Sequence, residues 1–208
     1  ERNVPVAKAP ALRAGYVMAI ACVPAYFLSL LWANPGWIFN LIGFIAGALQ
    51  VVSLILFIGI FHKNQKTIKA TFDPFSIALL RVVLIALMIK VVLEFLSVLP
   101  QISRLAYEYR SYVIAYLHLV LLGIIALFLL IWSHEKVFIY TKISRTGLVL
   151  FITGLTGMEL LLIAAPSWSG VTGYPSMVME KGIFAFSTLL WVSSGLFIFA
   201  SLNTEKDE

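Results

Sequence analysis

Four ionisable side chains, Lys90, Glu94, His118 and Glu159, lie inside strongly apolar stretches of the chain. Charge is costly in hydrocarbon, and side chains kept there line ion or proton paths, meet a ligand or pair with one another. Carboxylates and a lysine can exchange protons or neutralise each other. An imidazole can carry a proton or ligate a metal or haem iron. Lys90, Glu94, Ser97 and Gln101 are spaced four, three and four, which places them on one face of a helix. Such a polar stripe has to turn away from lipid. Together with Tyr116, the residues Lys90, Glu94, Ser97, His118 and Glu159 read as a buried polar network able to handle protons.

The elements that must position these residues follow from composition. Hydrophobic residues make up 61% of the chain, charged residues only 12%, and mean hydropathy is +0.98. A soluble domain of this size cannot hide so much apolar surface. About 20 apolar residues cross a ~30 Å hydrocarbon core as a helix. Six runs qualify: 14–33, 37–61, 75–100, 112–133, 147–165 and 182–202. None alternates with a period of two, which argues against a β-barrel. In lipid each backbone amide must be paired within its own segment. The expectation is an all-α fold, a single six-span transmembrane helical bundle in residues 1–208. Glu94, His118 and Glu159 each lie six residues inside the outer end of their span, which puts all three ~9 Å below the outer boundary. Lys90 sits about a turn deeper.

Charge orients the bundle. Ten of the 15 lysines and arginines flank the side of the N-terminus and three flank the other. Positive loops stay in the cytoplasm, so both termini are expected inside, in a bacterial inner membrane. The net charge of +5 is therefore a topology signal, and no clustered patch points to nucleic acid. The chain opens at Glu1 without Met and without a signal peptide. It therefore reads as trimmed or as part of a longer polypeptide. Cys22, the only cysteine, lies within a span, which excludes disulfides and Cys-based metal sites. It reads as a small apolar core residue.

Turn chemistry fills in the connections. Asn34-Pro35-Gly36 predicts a tight turn between the first two spans. Lys63–Asp73 predicts a basic loop, and Asp73-Pro74 a capped helix start. Residues 134–146 predict a second basic loop. Pro166–Lys181, with Trp168, Gly170, Gly173, Tyr174 and Pro175, predicts a long outer loop lying among headgroups, or alternatively a lid. The tail from Asn203 to Glu208 should fray. Gly43 and Gly47 form a GxxxG pair with Asn40 and Gln50 on the same stripe, a close contact expected inside the bundle. Gly154 and Gly157 suggest similar packing, and Pro24 a kink. No nucleotide-binding loop, nucleophile elbow or HExxH motif occurs.

Lys90 and Glu94, four residues apart, could neutralise each other and leave His118 and Glu159 as a second pair, a purely architectural arrangement. Arg81 falls on the opposite face from Lys90 near the inner end, where its guanidinium can snorkel to lipid phosphates. His62 and His134 read as ordinary interface residues.

The stretch Tyr112-Val113-Ile114-Ala115-Tyr116-Leu117-His118-Leu119-Val120-Leu121-Leu122-Gly123 resembles the tenth helix of haem-copper oxidase subunit I. There a His-x-His pair is followed by an apolar run and a glycine. If the chain resembles the C-terminal half of that subunit, its fourth span is the tenth and runs from outside to inside, as the charge bias requires. The resemblance implies that His118 is an axial ligand of a low-spin haem, with the second ligand in a missing N-terminal half, and that this half or other membrane subunits are partners of the chain. Tyr116 stands where the family has its other histidine, and the first two spans carry no interior histidine. No high-spin haem ligand or copper ligand carries over, which argues against oxygen reduction. The chain also resembles haem-copper-like membrane proteins of the NnrS type. Three readings follow: a degenerate haem-binding redox subunit; a proton-coupled transporter or channel-like module using Glu94, Glu159 and Lys90; or a structural membrane subunit without catalysis.

Overall fold

The computed structural model describes residues 8–25, 37–136, 142–172 and 177–204. Every element among them is helical. Five of the helices are long and apolar enough to cross a membrane: Leu41–Lys63, Pro74–Leu96, Arg110–His134, Lys142–Thr172 and Met177–Ala200. Large apolar side chains cover their outer faces, among them Trp191, Phe184 and Val171. A water-soluble chain could not carry that surface, and this is an integral membrane protein. The first expected span is described only as far as Ala25, so its second half and the Asn34-Pro35-Gly36 turn lie outside the described residues.

The chain divides into two compact units, Glu1–Glu108 and Tyr109–Glu208. In the first, α1 (Lys8–Ala25), which contains Pro24, packs on α2 (Trp37–Lys63). Ala14, Ala21 and Ala46 are fully buried there, and the Ser53 hydroxyl donates to the Ala14 carbonyl at 2.9 Å. The expected basic loop contains a short helix, α3 (Gln65–Thr71), with Lys66 and Lys69 on its exposed side. Asp73 then caps α4 (Pro74–Leu96): its carboxylate accepts the Ser76 amide at 2.8 Å, and Pro74 occupies the first turn, where no amide is required. α4 packs on α2 through the predicted glycine stripe. A Cβ at Gly47 would meet Phe95 Cδ2 at 2.9 Å, so Gly47 of the GxxxG pair serves an internal contact. The side chain of Asn40 lies outside the described residues.

The third span ends earlier than expected, at Leu96. The residue before a proline is driven out of helical geometry, and the chain turns over Ser97–Leu99 before α5 (Pro100–Glu108) begins at Pro100. Gln101 is therefore not on the polar stripe. It is exposed at the start of a short amphipathic helix.

In the second unit, α6 (Arg110–His118) continues into a π-helical segment (Leu119–Ala126) and α7 (Leu127–Lys136) as one rod. α8 (Lys142–Thr172) and α9 (Met177–Thr204) pack closely against each other. Gly154 and Gly157 both face Phe186. A Cβ at Gly154 would come within 2.9 Å of the Phe186 carbonyl. The Ser193 hydroxyl donates to the Gly147 carbonyl at 2.8 Å across the same seam. The long outer loop expected over Pro166–Lys181 is mostly helix. α8 runs through Pro166 to Thr172 and α9 starts at Met177, leaving only 173–176, with Tyr174 and Pro175, outside the described residues. A proline is tolerated within membrane helices where neighbouring groups meet the freed carbonyl, and Pro166 is buried. Asn203 and Thr204 are still helical, and the rest of the tail lies outside the described residues.

Candidate functional site

In the first unit the polar stripe forms a closed cluster between α2 and α4. Gln50, fully buried on α2, donates through Nε2 to Glu94 Oε1 at 2.8 Å and accepts from Lys90 Nζ at its carbonyl oxygen. Lys90 and Glu94 complete the ring with an i,i+4 ion pair, their side chains only 13% and 10% exposed. One ammonium, one carboxylate and one amide thus meet with no net charge, which suits a low-dielectric interior, and Glu94 Oε2 is held by the Lys90 ion pair without a hydrogen bond of its own. Ser97 stands apart from the carboxylate. Its hydroxyl donates to the Glu94 backbone carbonyl at 2.7 Å and helps close the helix end. Gln50, placed by the sequence on the glycine stripe as an amide able to bond across to a neighbouring helix, does so; what the sequence did not give was that its partners are Lys90 and Glu94. The available signal was an amide on the close-packing stripe of an apolar helix, with Lys90 and Glu94 in need of a polar partner.

In the second unit His118 on α6 and Glu159 on α8 face each other, with Nδ1 and Oε1 3.7 Å apart. That is within ion-pair range but too long for a hydrogen bond. Both facing atoms are buried and make no hydrogen bond. The His118 side chain is 32% exposed and that of Glu159 14%. The structure brings His118 and Glu159 together as a pair. Tyr116 precedes His118 by two residues and so lies on another face of α6.

The backbone changes character at His118. The Leu119 amide is shared between the Ala115 and Tyr116 carbonyls, and the Leu127 amide between the Ile124 carbonyl and, five residues back, the Leu122 carbonyl. π-Helical turns are rare and tend to occur where a helix must present a particular side chain. Here the widened turns rotate His118 relative to the buried face of Gly123, Leu127 and Ile131.

His134 departs from its expected role as an interface residue. It is 1% exposed, and its Nδ1 lies 2.8 Å from the Ser144 hydroxyl, tying α7 to the start of α8. Of the predicted basic loop, residues 134–136 and 142–146 are helical, and 137–141 lie outside the described residues. His62 is exposed, as expected, and contacts Gln65 Nε2 at 2.8 Å.

Among the described residues no group of three or more His, Cys, Asp or Glu side chains is arranged to hold a metal ion. No protein-family model matches the chain, and no curated protein or solved structure is significantly similar to it.

Proposed function

We propose that this is a six-span protein of a bacterial inner membrane, with both termini in the cytoplasm, in which His118 and Glu159 take up and release a proton as part of proton-coupled transport or conduction. The observation that supports the reading is the His118–Glu159 geometry: a base and an acid on facing helices, 3.7 Å apart, buried at their facing atoms and unbonded there. Such a pair has two states that differ only in which group holds a proton, and a small movement of either helix closes or opens the hydrogen bond between them. Burial of unbonded polar atoms costs stability, and here both facing atoms of one acid–base pair bear that cost without an ion-pair contact as close as that of Lys90 and Glu94. The six-span topology is supported by the apolar run that α1 begins and by the excess of positive charge on one side. In liposomes holding a pH-sensitive dye, the wild type should move protons while Glu159→Gln and His118→Ala do not. Equal flux in all three would sink this reading.

A second reading, a haem at His118, is favoured by one feature. A carboxylate facing Nδ1 is the arrangement that orients an axial histidine and directs Nε2 outward. The residues present suit a single axial ligand: His134, the other histidine of this unit, lies sixteen residues further along the same rod and faces Ser144, ~24 Å away. His118 would then hold the iron and Glu159 would fix the imidazole. A bound haem would supply one-electron chemistry. A Soret band in the reduced protein, lost in His118→Ala, would establish this reading, and wild type from haem-replete cells without such a band would remove it.

A further inference from the structure

At the other end of the first unit, a small pocket opens where α2, α3 and α4 converge. It is lined by Phe61, Gln65, Ile68, Lys69, Ile77 and Arg81. Two cations from separate elements thus meet over an apolar floor, and no acidic residue lines the pocket. Neither Arg81 nor Lys69 makes a hydrogen bond or ion pair with any described residue. From Lys63 to Arg81 the only acidic residue is Asp73, and its carboxylate caps α4. The pocket therefore carries uncompensated positive charge.

We propose that this pocket binds the phosphate of an anionic lipid headgroup through Arg81 and Lys69. Arg81 belongs to a membrane-spanning helix, seven residues after Pro74, so its backbone lies ~10 Å below the helix start. From there its long stem can lift the guanidinium to headgroup level. Lys69 reaches the same place from α3, a helix held beside the ends of both spans. Gln65 is engaged with His62 and so supports the wall more than the ligand. The apolar floor of Phe61, Ile68 and Ile77 distinguishes a lipid from a soluble phosphate, because it can accept the glycerol and the first methylenes of the acyl chains. Two cations with a guanidinium fork select an anionic headgroup over a zwitterionic one. The pocket belongs to the first unit, and His118 and Glu159 to the second.

The test is lipid retention by the full chain, purified in neutral detergent and titrated with phosphatidylglycerol or phosphatidylcholine under native mass spectrometry. The wild type should retain phosphatidylglycerol in preference. Arg81→Gln and Lys69→Gln should each weaken that retention about fivefold. Arg81→Lys should keep most of it, and Lys66→Gln, on the same short helix but outside the pocket, should leave it unchanged. Helical circular dichroism identical to wild type establishes that each variant is folded. Equal retention of the two lipids, or unchanged retention in both Arg81→Gln and Lys69→Gln, overturns the proposal. Displacement of the lipid by millimolar inorganic phosphate would overturn it in favour of a soluble anion.

Discussion

Among the described residues, two polar clusters of Lys, Glu and His side chains are made from similar materials and finished differently. Around Lys90 and Glu94 a third group, Gln50, arrives from a neighbouring helix and joins both charges into one ring. Around His118 and Glu159 the two partners stop 3.7 Å apart, with their facing atoms unbonded. The first arrangement holds helices together. The second can change state without dismantling anything around it. What separates them is whether the opposing helix supplies a bridging amide, and this matters more than how many charges a span contains.

The largest effect that bears on this contrast is expected from Glu94→Leu, which strands the Lys90 ammonium between α2 and α4. A loss of about 3–5 kcal/mol, read as a lower midpoint in detergent unfolding, follows from leaving a buried charge uncompensated. Joining it with Lys90→Met should restore most of that loss, because a paired desolvation cost is removed along with the pair. If the double variant is as unstable as the single one, the ring is not a closed unit. Gln50→Leu should come next, at about 1–3 kcal/mol, since it leaves two partners without their bridge. Smaller still should be the stability changes of His118→Ala and Glu159→Gln, under about 1.5 kcal/mol each, alongside complete loss of proton movement in liposomes. That dissociation of stability from activity is the sharpest form of the comparison, and it fails if both fall together. Smallest is Arg81→Gln, an exposed position whose unfolding midpoint should match wild type.

Much of this was legible in the residues. Apolar runs long enough to span a bilayer located the principal helices because lipid leaves the backbone no alternative to helical pairing. The i,i+4 spacing of Lys90 and Glu94 and the equal depths of His118 and Glu159 anticipated which partners meet. That the Gln50 amide would bond across to another helix was legible, but its partners were not, because spacing places a residue on its own helix and says nothing of what the facing helix brings. The end of α4 at Leu96 was written in Pro100, but the apolar Val98 and Leu99 masked it. α8 ran on past Pro166 because Gly, Ser and Pro, which break helices in water, are tolerated in lipid. His134 looked exposed until the closeness of α7 and α8 was known. The π turns after His118 have no signature in residue type, since Leu, Ile and Val serve equally well in either winding.

Those π turns have a consequence for chain length. A stretch wound with more residues per turn holds surplus backbone, as though the rod had absorbed an insertion and kept it. Removing one residue between Leu119 and Ala126 would let the rod relax toward ordinary winding and still join α6 to α7. Such a shortening would swing His118 by roughly a quarter turn relative to Leu127 and Ile131. The spare length is thus a hand on the dial that points one imidazole at one carboxylate.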